Sequence, residues 1–226
     1  MRTSNNTVLI TGGSFGTGLE IAKLLSIMGN KVIITGNNKV QLSRITSENK
    51  NIAAFLCDTA SENEIEKLIN SIRRKFPNLN VFINNSGQSY SESEEYLSNP
   101  SADKLLIDHF SGIRITEELL PILEQQERAT VIDVSLLTLR LYKNNELLKS
   151  IRNTVNSYYR LLRYKLKNSI VEVPDLQSVQ VDEYSSSSMI AFRIIEMLYN
   201  KRPKNAGFHV AKLVFPINPL LTININ

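Results

Sequence analysis

Short apolar runs rich in β-branched residues alternate along this chain with longer stretches whose apolar positions recur at helical spacing. TVLIT (7–11), KVIIT (31–35), IAAFLC (52–57), NVFINN (80–85) and ATVIDVS (129–135) have the length and composition of buried strands. Residues 17–29, 62–76 and 105–125 carry a helical period, with Pro121 placed for a kink. The alternation continues through a helix over 145–168, a strand at SIVEV (169–173), a helix over 186–200 and a last strand at GFHVAKL (207–213). Strands alternating with helices predict parallel βαβ units, right-handed crossovers and an α/β sheet of about seven strands covered on both faces. The polar stretch 89–101 reads as an exposed loop, and no internal repeat or linker divides residues 1–226.

The first strand runs into TGGSFGTG (11–18), and a helix follows at once. Gly12, Gly16 and Gly18 are spaced G-x-x-x-G-x-G. A tight strand-to-helix turn needs residues tolerant of positive φ. A diphosphate must approach the backbone without meeting a Cβ, and the helix then offers it free N–H groups and a positive dipole end. Gly18 would allow close helix–strand packing. The same glycines are also compatible with an unliganded turn, but their place between first strand and first helix favours a nucleotide. The pattern therefore predicts a Rossmann-type, doubly wound fold.

Composition narrows the partners. The formal charge is only +4, from 26 basic and 22 acidic residues, and no basic block carries interleaved aromatics. That weighs against nucleic acid. The one cysteine, Cys57, excludes an internal disulfide and suits a reducing compartment. The first apolar run is too short for a signal peptide or a membrane span. A soluble cytoplasmic protein with no membrane partner is expected. No His, Cys, Asp and Glu cluster has metal-ligand spacing, so no metal is expected.

Four motifs in order make the chain resemble the short-chain dehydrogenase/reductase family over nearly its whole length: TGGSFGTG (11–18), CDT (57–59), NNSG (84–87) and VIDVS (131–135). The resemblance implies a strand order of 3-2-1-4-5-6-7 and a nicotinamide dinucleotide. It assigns Thr11, Gly12, Ser14, Gly16 and Gly18 to the diphosphate turn and Asp58 to the adenine. Asn84 would brace the central sheet, with Gly87 closing the same motif. At the end of the second strand, ITGNNK (34–39) lacks the acidic residue that would accept ribose hydroxyls and repel a 2′-phosphate. Asn37, Asn38 and Lys39, with Ser14, suit that phosphate, which favours NADP over NAD. The same residues also read as an ordinary polar turn.

The family's reacting set is Asn, Ser, Tyr and Lys. Hydride delivery to a carbonyl builds oxyanion character, which needs donors and then a proton. Ser135 matches the serine. The family's tyrosine would fall about thirteen residues further on, at Leu148, with Arg152 in place of the lysine and His109 at the asparagine position. Leucine transfers no proton, and arginine does not deprotonate in a protein. Arg152 can still hold a ribose. Tyr159 with Arg163 is the nearest Tyr-x-x-x-basic pair, but it lies late for this role. Tyr142 is followed four residues on by Glu146. His109 either titrates near neutrality or fills the asparagine's space, and His209 reads as structural. After the sixth strand, VPDLQSVQVDEY (173–184) has Asp175 in the family's glycine place, Ser178 near its threonine, and a short lid.

Three readings follow. The protein binds NAD(P)(H) with lost or altered carbonyl chemistry; it is an active oxidoreductase using Ser135 with water or His109; or it is an interaction protein with an empty site. The resemblance also implies a homodimer or homotetramer through the helices at 105–125 and 145–168.

Overall fold

The computed structural model describes residues 3–85, 102–139, 146–181 and 185–199. Six parallel strands form one sheet: β1 (Thr7–Ile10), β2 (Lys31–Gly36), β3 (Ile52–Leu56), β4 (Leu79–Asn84), β5 (Ala129–Asp133) and β6 (Val171–Glu172). Their spatial order is β3-β2-β1-β4-β5-β6, so the chain reverses direction of winding between β3 and β4. The expected seventh strand, residues 207–213 with His209, lies outside the described residues, as does the loop at 89–101.

Pleating assigns each strand residue to one of two cores. Leu9, Ile33, Phe82 and Val131 face a cluster built with helices α3 (Glu62–Lys75), α4 (Ala102–Leu123) and α6 (Glu146–Lys165). Val8, Ile10, Val32, Ile34, Ile83 and Ile132 face the other, built with α1 (Gly16–Ile27), α2 (Lys39–Glu48) and α7 (Ser187–Tyr199). Burial on both faces explains why the central strands read as continuous apolar runs. A short helix, α5 (Ser135–Leu139), follows β5 almost directly.

Helix signals are local and physical. Ser61 caps α3 by accepting from Glu64 N at 3.4 Å. That helix opens with Glu62 and Glu64 and closes with Arg73, Arg74 and Lys75, matching its dipole. In α6 the buried residues Leu148, Ile151, Val155, Tyr159 and Leu162 recur every three or four positions. Pro121 lies inside α4, two residues before its end.

The amino ends of the strands are laced by asparagines. Asn6 Nδ2 donates to Asn30 Oδ1 at 2.7 Å, and Asn80 Nδ2 donates to Asn6 Oδ1 at 3.1 Å. Thr7 N donates to Asn80 Oδ1 at 2.9 Å. These amides tie β1, the entry to β2 and β4 together at the end remote from the glycine turn.

Two strands fall short of their apolar patterns by two residues or more. β5 ends at Asp133, and β6 keeps two of the five residues expected at 169–173. The first helix of the second crossover, α2, was not legible as a helix, because only Leu42 and Ile45 of it are buried.

Phe82 is fully buried at the centre of the sheet. Phe82→Ala is expected to lower stability by about 3–5 kcal/mol. Urea unfolding should show a lower midpoint with an unchanged slope.

Candidate functional site

The glycine turn is shaped from three sides. Thr11 N donates to Ile83 O at 3.1 Å, and Gly13 N donates to Thr35 O at 3.0 Å. Gly12 adopts φ +59°, and a Cβ there would lie 2.8 Å from Asn85 O. A Cβ on Gly18 would press on Asn85 Nδ2 and lie 2.5 Å from Gly12 O. Gly16 also has positive φ, at 53°. Only glycine allows both this backbone and this approach. Helix α1 then begins with no side-chain cap at Phe15 and no acidic residue in its first turn. Ser14 Oγ and Asn85 Oδ1 are buried at the same turn and have no hydrogen-bond partner among the described residues. Uncapped N–H groups, space made by missing Cβ atoms and orphan polar atoms together fit a diphosphate.

Beside the turn, the end of β2 and the start of α2 present Asn37, Asn38 and Lys39 to solvent. Asn38 is the cap of α2, accepting from Gln41 N at 3.1 Å. Gln41 Nε2 crosses to Ser14 O at 2.6 Å, fastening the glycine turn to α2. Asp58, past β3, is exposed. Its Oδ1 accepts from Ala60 N at 2.9 Å, while its own N–H donates to Glu64 Oε2 at 2.6 Å. Neighbouring Cys57 is buried, and burial pushes its thiol up to about 12, so it stays protonated and unreactive.

The carboxyl ends of β1, β4 and β5 share one buried hydrogen-bond chain. Thr11 Oγ1 donates to Asn84 Oδ1 at 2.9 Å and accepts from Asn85 N at 3.0 Å. Asn84 Nδ2 donates to Asp133 Oδ2 at 3.0 Å. Ser135 Oγ donates to Asp133 Oδ1 at 2.5 Å, and Leu136 N donates to the same oxygen at 3.2 Å. The Tyr159 phenol lies 3.2 Å from Thr116 Oγ1 and feels the Asp133 charge. Burial raises the Asp133 pKa, and its hydrogen-bond donors oppose that rise. Tyr159 is raised well above the usual phenol range, by burial first and then by the Asp133 charge.

Three of the four expected reacting positions, Ser135, His109 and Leu148, are buried. Ser135 is 1% exposed, and its proton is directed at Asp133. His109 is 1% exposed, and burial lowers it from 6.5 to about 4, which holds the ring neutral at neutral pH. Leu148 is 4% exposed and packs in the core with Ile151 and Val155. Arg152 is half-buried and makes no ion pair among the described residues. Tyr159, the alternative phenol, lies in the core three turns beyond Leu148. Tyr142 and Gly87 lie outside the described residues.

Sequence reasoning missed Asp133, Asn85 and Gln41. A lone acid in the apolar run VIDVS was the available signal for Asp133. Beyond β6, Asp175 caps a 3₁₀ turn (Leu176–Ser178), accepting from Gln177 N at 2.9 Å. Leu176 and Val179 bury into the core on the α7 side of the sheet, so this part of the short lid is packed; residues 182–184 lie outside the described residues.

Residues 6–147 match the family model described as short chain dehydrogenase. The chain is 32% identical over 187 residues to "Uncharacterized oxidoreductase DltE" of Bacillus subtilis (strain 168), covering 80% of this chain and 74% of that protein. A short-chain dehydrogenase from Streptomyces avermitilis superposes with a TM-score of 0.72 at 17% identity, over 88% of this chain and 86% of that one. A metagenomic short-chain oxidoreductase in complex with NADP gives 0.70 at 19% identity, over 87% and 90%. The chain belongs to the short-chain dehydrogenase family of oxidoreductases.

His109 generates a pH prediction. As pH falls below about 6.5 the unfolded chain binds a proton, whereas the folded ring resists it until about 4. Its contribution to stability is therefore complete above 6.5 and lost on the way down to 4. The 2.5-unit difference between 6.5 and 4 corresponds to about 3 kcal/mol. Urea midpoints across this range should fall less steeply in His109→Asn than in the parent.

Proposed function

We propose that this protein binds a nicotinamide dinucleotide at the glycine turn and has lost or altered the family's usual carbonyl and alcohol chemistry. The observation that carries this reading is Leu148. The position expected to supply the reacting phenol holds a leucine buried among Ile151 and Val155. Thr11, Gly12, Ser14, Gly16 and Gly18 would hold the diphosphate, with Asn85 shaping the turn. Asn37, Asn38 and Lys39 would meet a 2′-phosphate, Asp58 the adenine, and Arg152 a ribose. Such a cofactor supplies two-electron redox capacity when bound.

The rest is set by this chain's own side chains. A hydroxyl already donating to a buried carboxylate has no proton left for a substrate oxygen. A ring held neutral until about pH 4 is a poor acid near neutrality. Loss of a positioned general acid lowers a rate by roughly 10²–10⁴. Binding of NADP without ordinary reductase turnover is the combination this site favours, which suits sensing of the nucleotide or regulation of a partner. Assembly through α4 and α6 is part of the same proposal, supported by exposed Ile107 and Phe110 on α4 and exposed Leu161 and Tyr164 on α6.

Calorimetry with NADP is expected to give saturable binding well below millimolar. Lys39→Glu should weaken NADP binding by about tenfold, the effect of one charge-assisted phosphate contact, with NAD binding changed little. A carbonyl and alcohol panel should show no turnover, and Leu148→Tyr with Arg152→Lys should gain some. Turnover by the parent chain that disappears in Ser135→Ala would overturn the inactive reading. Absence of saturable nucleotide binding would overturn the cofactor reading itself.

A further inference from the structure

The end of β2, the glycine turn and the start of α2 are locked to one another by hydrogen bonds. Thr35 receives two amides of the turn: Gly13 N donates to Thr35 O at 3.0 Å, and Gly12 N donates to Thr35 Oγ1 at 3.3 Å. Ser14 lies against Gly36, where a Cβ would come within 2.6 Å of Ser14 Oγ and 2.9 Å of Ser14 Cβ. Gln41 completes the circuit. Its Nε2 donates to Ser14 O at 2.6 Å, and its own N–H donates to Asn38 Oδ1 at 3.1 Å. A single side chain thus joins the first turn of α2 to the turn that opens α1.

Unused donors flank this clasp on both elements. On the glycine turn, Ser14 is 1% exposed, and its Oγ has no partner among the described residues. On α2, the N–H groups of Lys39 and Val40 are left over, because the Asn38 cap serves Gln41 alone. Lys39 adds an exposed cation, and no acidic residue occupies that first turn. Free N–H groups at a helix start, with a cation and a hydroxyl beside them, suit a phosphate monoester. The hydroxyl belongs to one element, and the N–H groups and cation to another. A phosphate gripped by both needs their spacing set in advance, whereas a ligand without it does not bridge them.

We propose that Gln41 is the positioning residue that makes the site select NADP over NAD, by holding Ser14 and the start of α2 at the spacing a 2′-phosphate spans. The inference rests on the nucleotide-binding reading above and names the residue on which its selectivity depends. Gln41 acts through Ser14 and α2. Its contribution is preorganisation: the cost of ordering two elements around one phosphate is removed before the ligand arrives. Methionine at position 41 has similar length and no donor, so the Ser14 carbonyl loses its tie to α2.

Calorimetric titration of the full chain with NADP and NAD, which differ only in the 2′-phosphate, tests this. The parent is expected to bind NADP at least about tenfold tighter than NAD. Gln41→Met should weaken NADP by about fivefold, the effect of one hydrogen bond, and leave NAD within about twofold, which also reports an intact fold. In a Ser14→Ala background the same substitution should cost less than about twofold, because one of the two hands that needed spacing is gone. Unchanged NADP affinity in Gln41→Met, or equal losses for NADP and NAD, would overturn the inference while leaving nucleotide binding standing. A full fivefold loss persisting in Ser14→Ala, or a parent that binds NADP and NAD within about twofold of each other, would do the same. Absence of saturable binding by either nucleotide would remove the function and the inference together.

Discussion

The structure depends on how the carboxyl ends of its three central strands satisfy one another. Asp133 is buried at the end of β5, where an unpaired charge would be costly. It is tolerated because Asn84, Ser135 and Leu136 all donate to it. Asn84 in turn holds Thr11, so one hydrogen-bond chain crosses from β5 through β4 to β1. The glycine turn hangs from the end of that chain, because Thr11 Oγ1 also receives Asn85 N, and Asn85 Nδ2 donates to Gly12 O at 3.0 Å. The shape of the nucleotide cradle and the protonation of a remote aspartate are thus parts of one network.

That network bears directly on the proposed loss of carbonyl chemistry. Hydrogen-bond capacity is finite: a serine hydroxyl has one proton, and here the fold uses it internally. Leu148 extends the apolar stripe of α6, which runs through Ile151, Val155 and Leu162. The stripe gains packing where a solvent-facing acid would interrupt it. On this face of α6 the described side chains pack.

Much of the fold was legible in the sequence, because strands covered on both faces have no polar alternation to obscure them. β1 to β5 follow from apolar runs alone. α2 was hidden by its own surface: residues 39–48 bury only two side chains, and Asn38 imitates a turn residue because capping and turning use the same side-chain acceptor. At the site, Thr11, Gly12, Gly18 and Asn84 are near neighbours in space as well as in motif. The approach of Tyr159 to Asp133 was not legible, since the two lie on separate elements far apart in the chain. Burial of Ser135 and His109 was equally hidden, because a motif specifies a residue type and not the direction of its proton.

The asparagine ladder at the opposite rim has a consequence of its own. Asn6, Asn30 and Asn80 clasp the strands where no ligand is expected. Rigidity there does not depend on the chemistry of the other rim. Such shoring lets a lineage discard a proton donor, or trade one ligand for another, while the scaffold stays upright. Changes at the ligand rim can then accumulate without loosening the architecture that carries them.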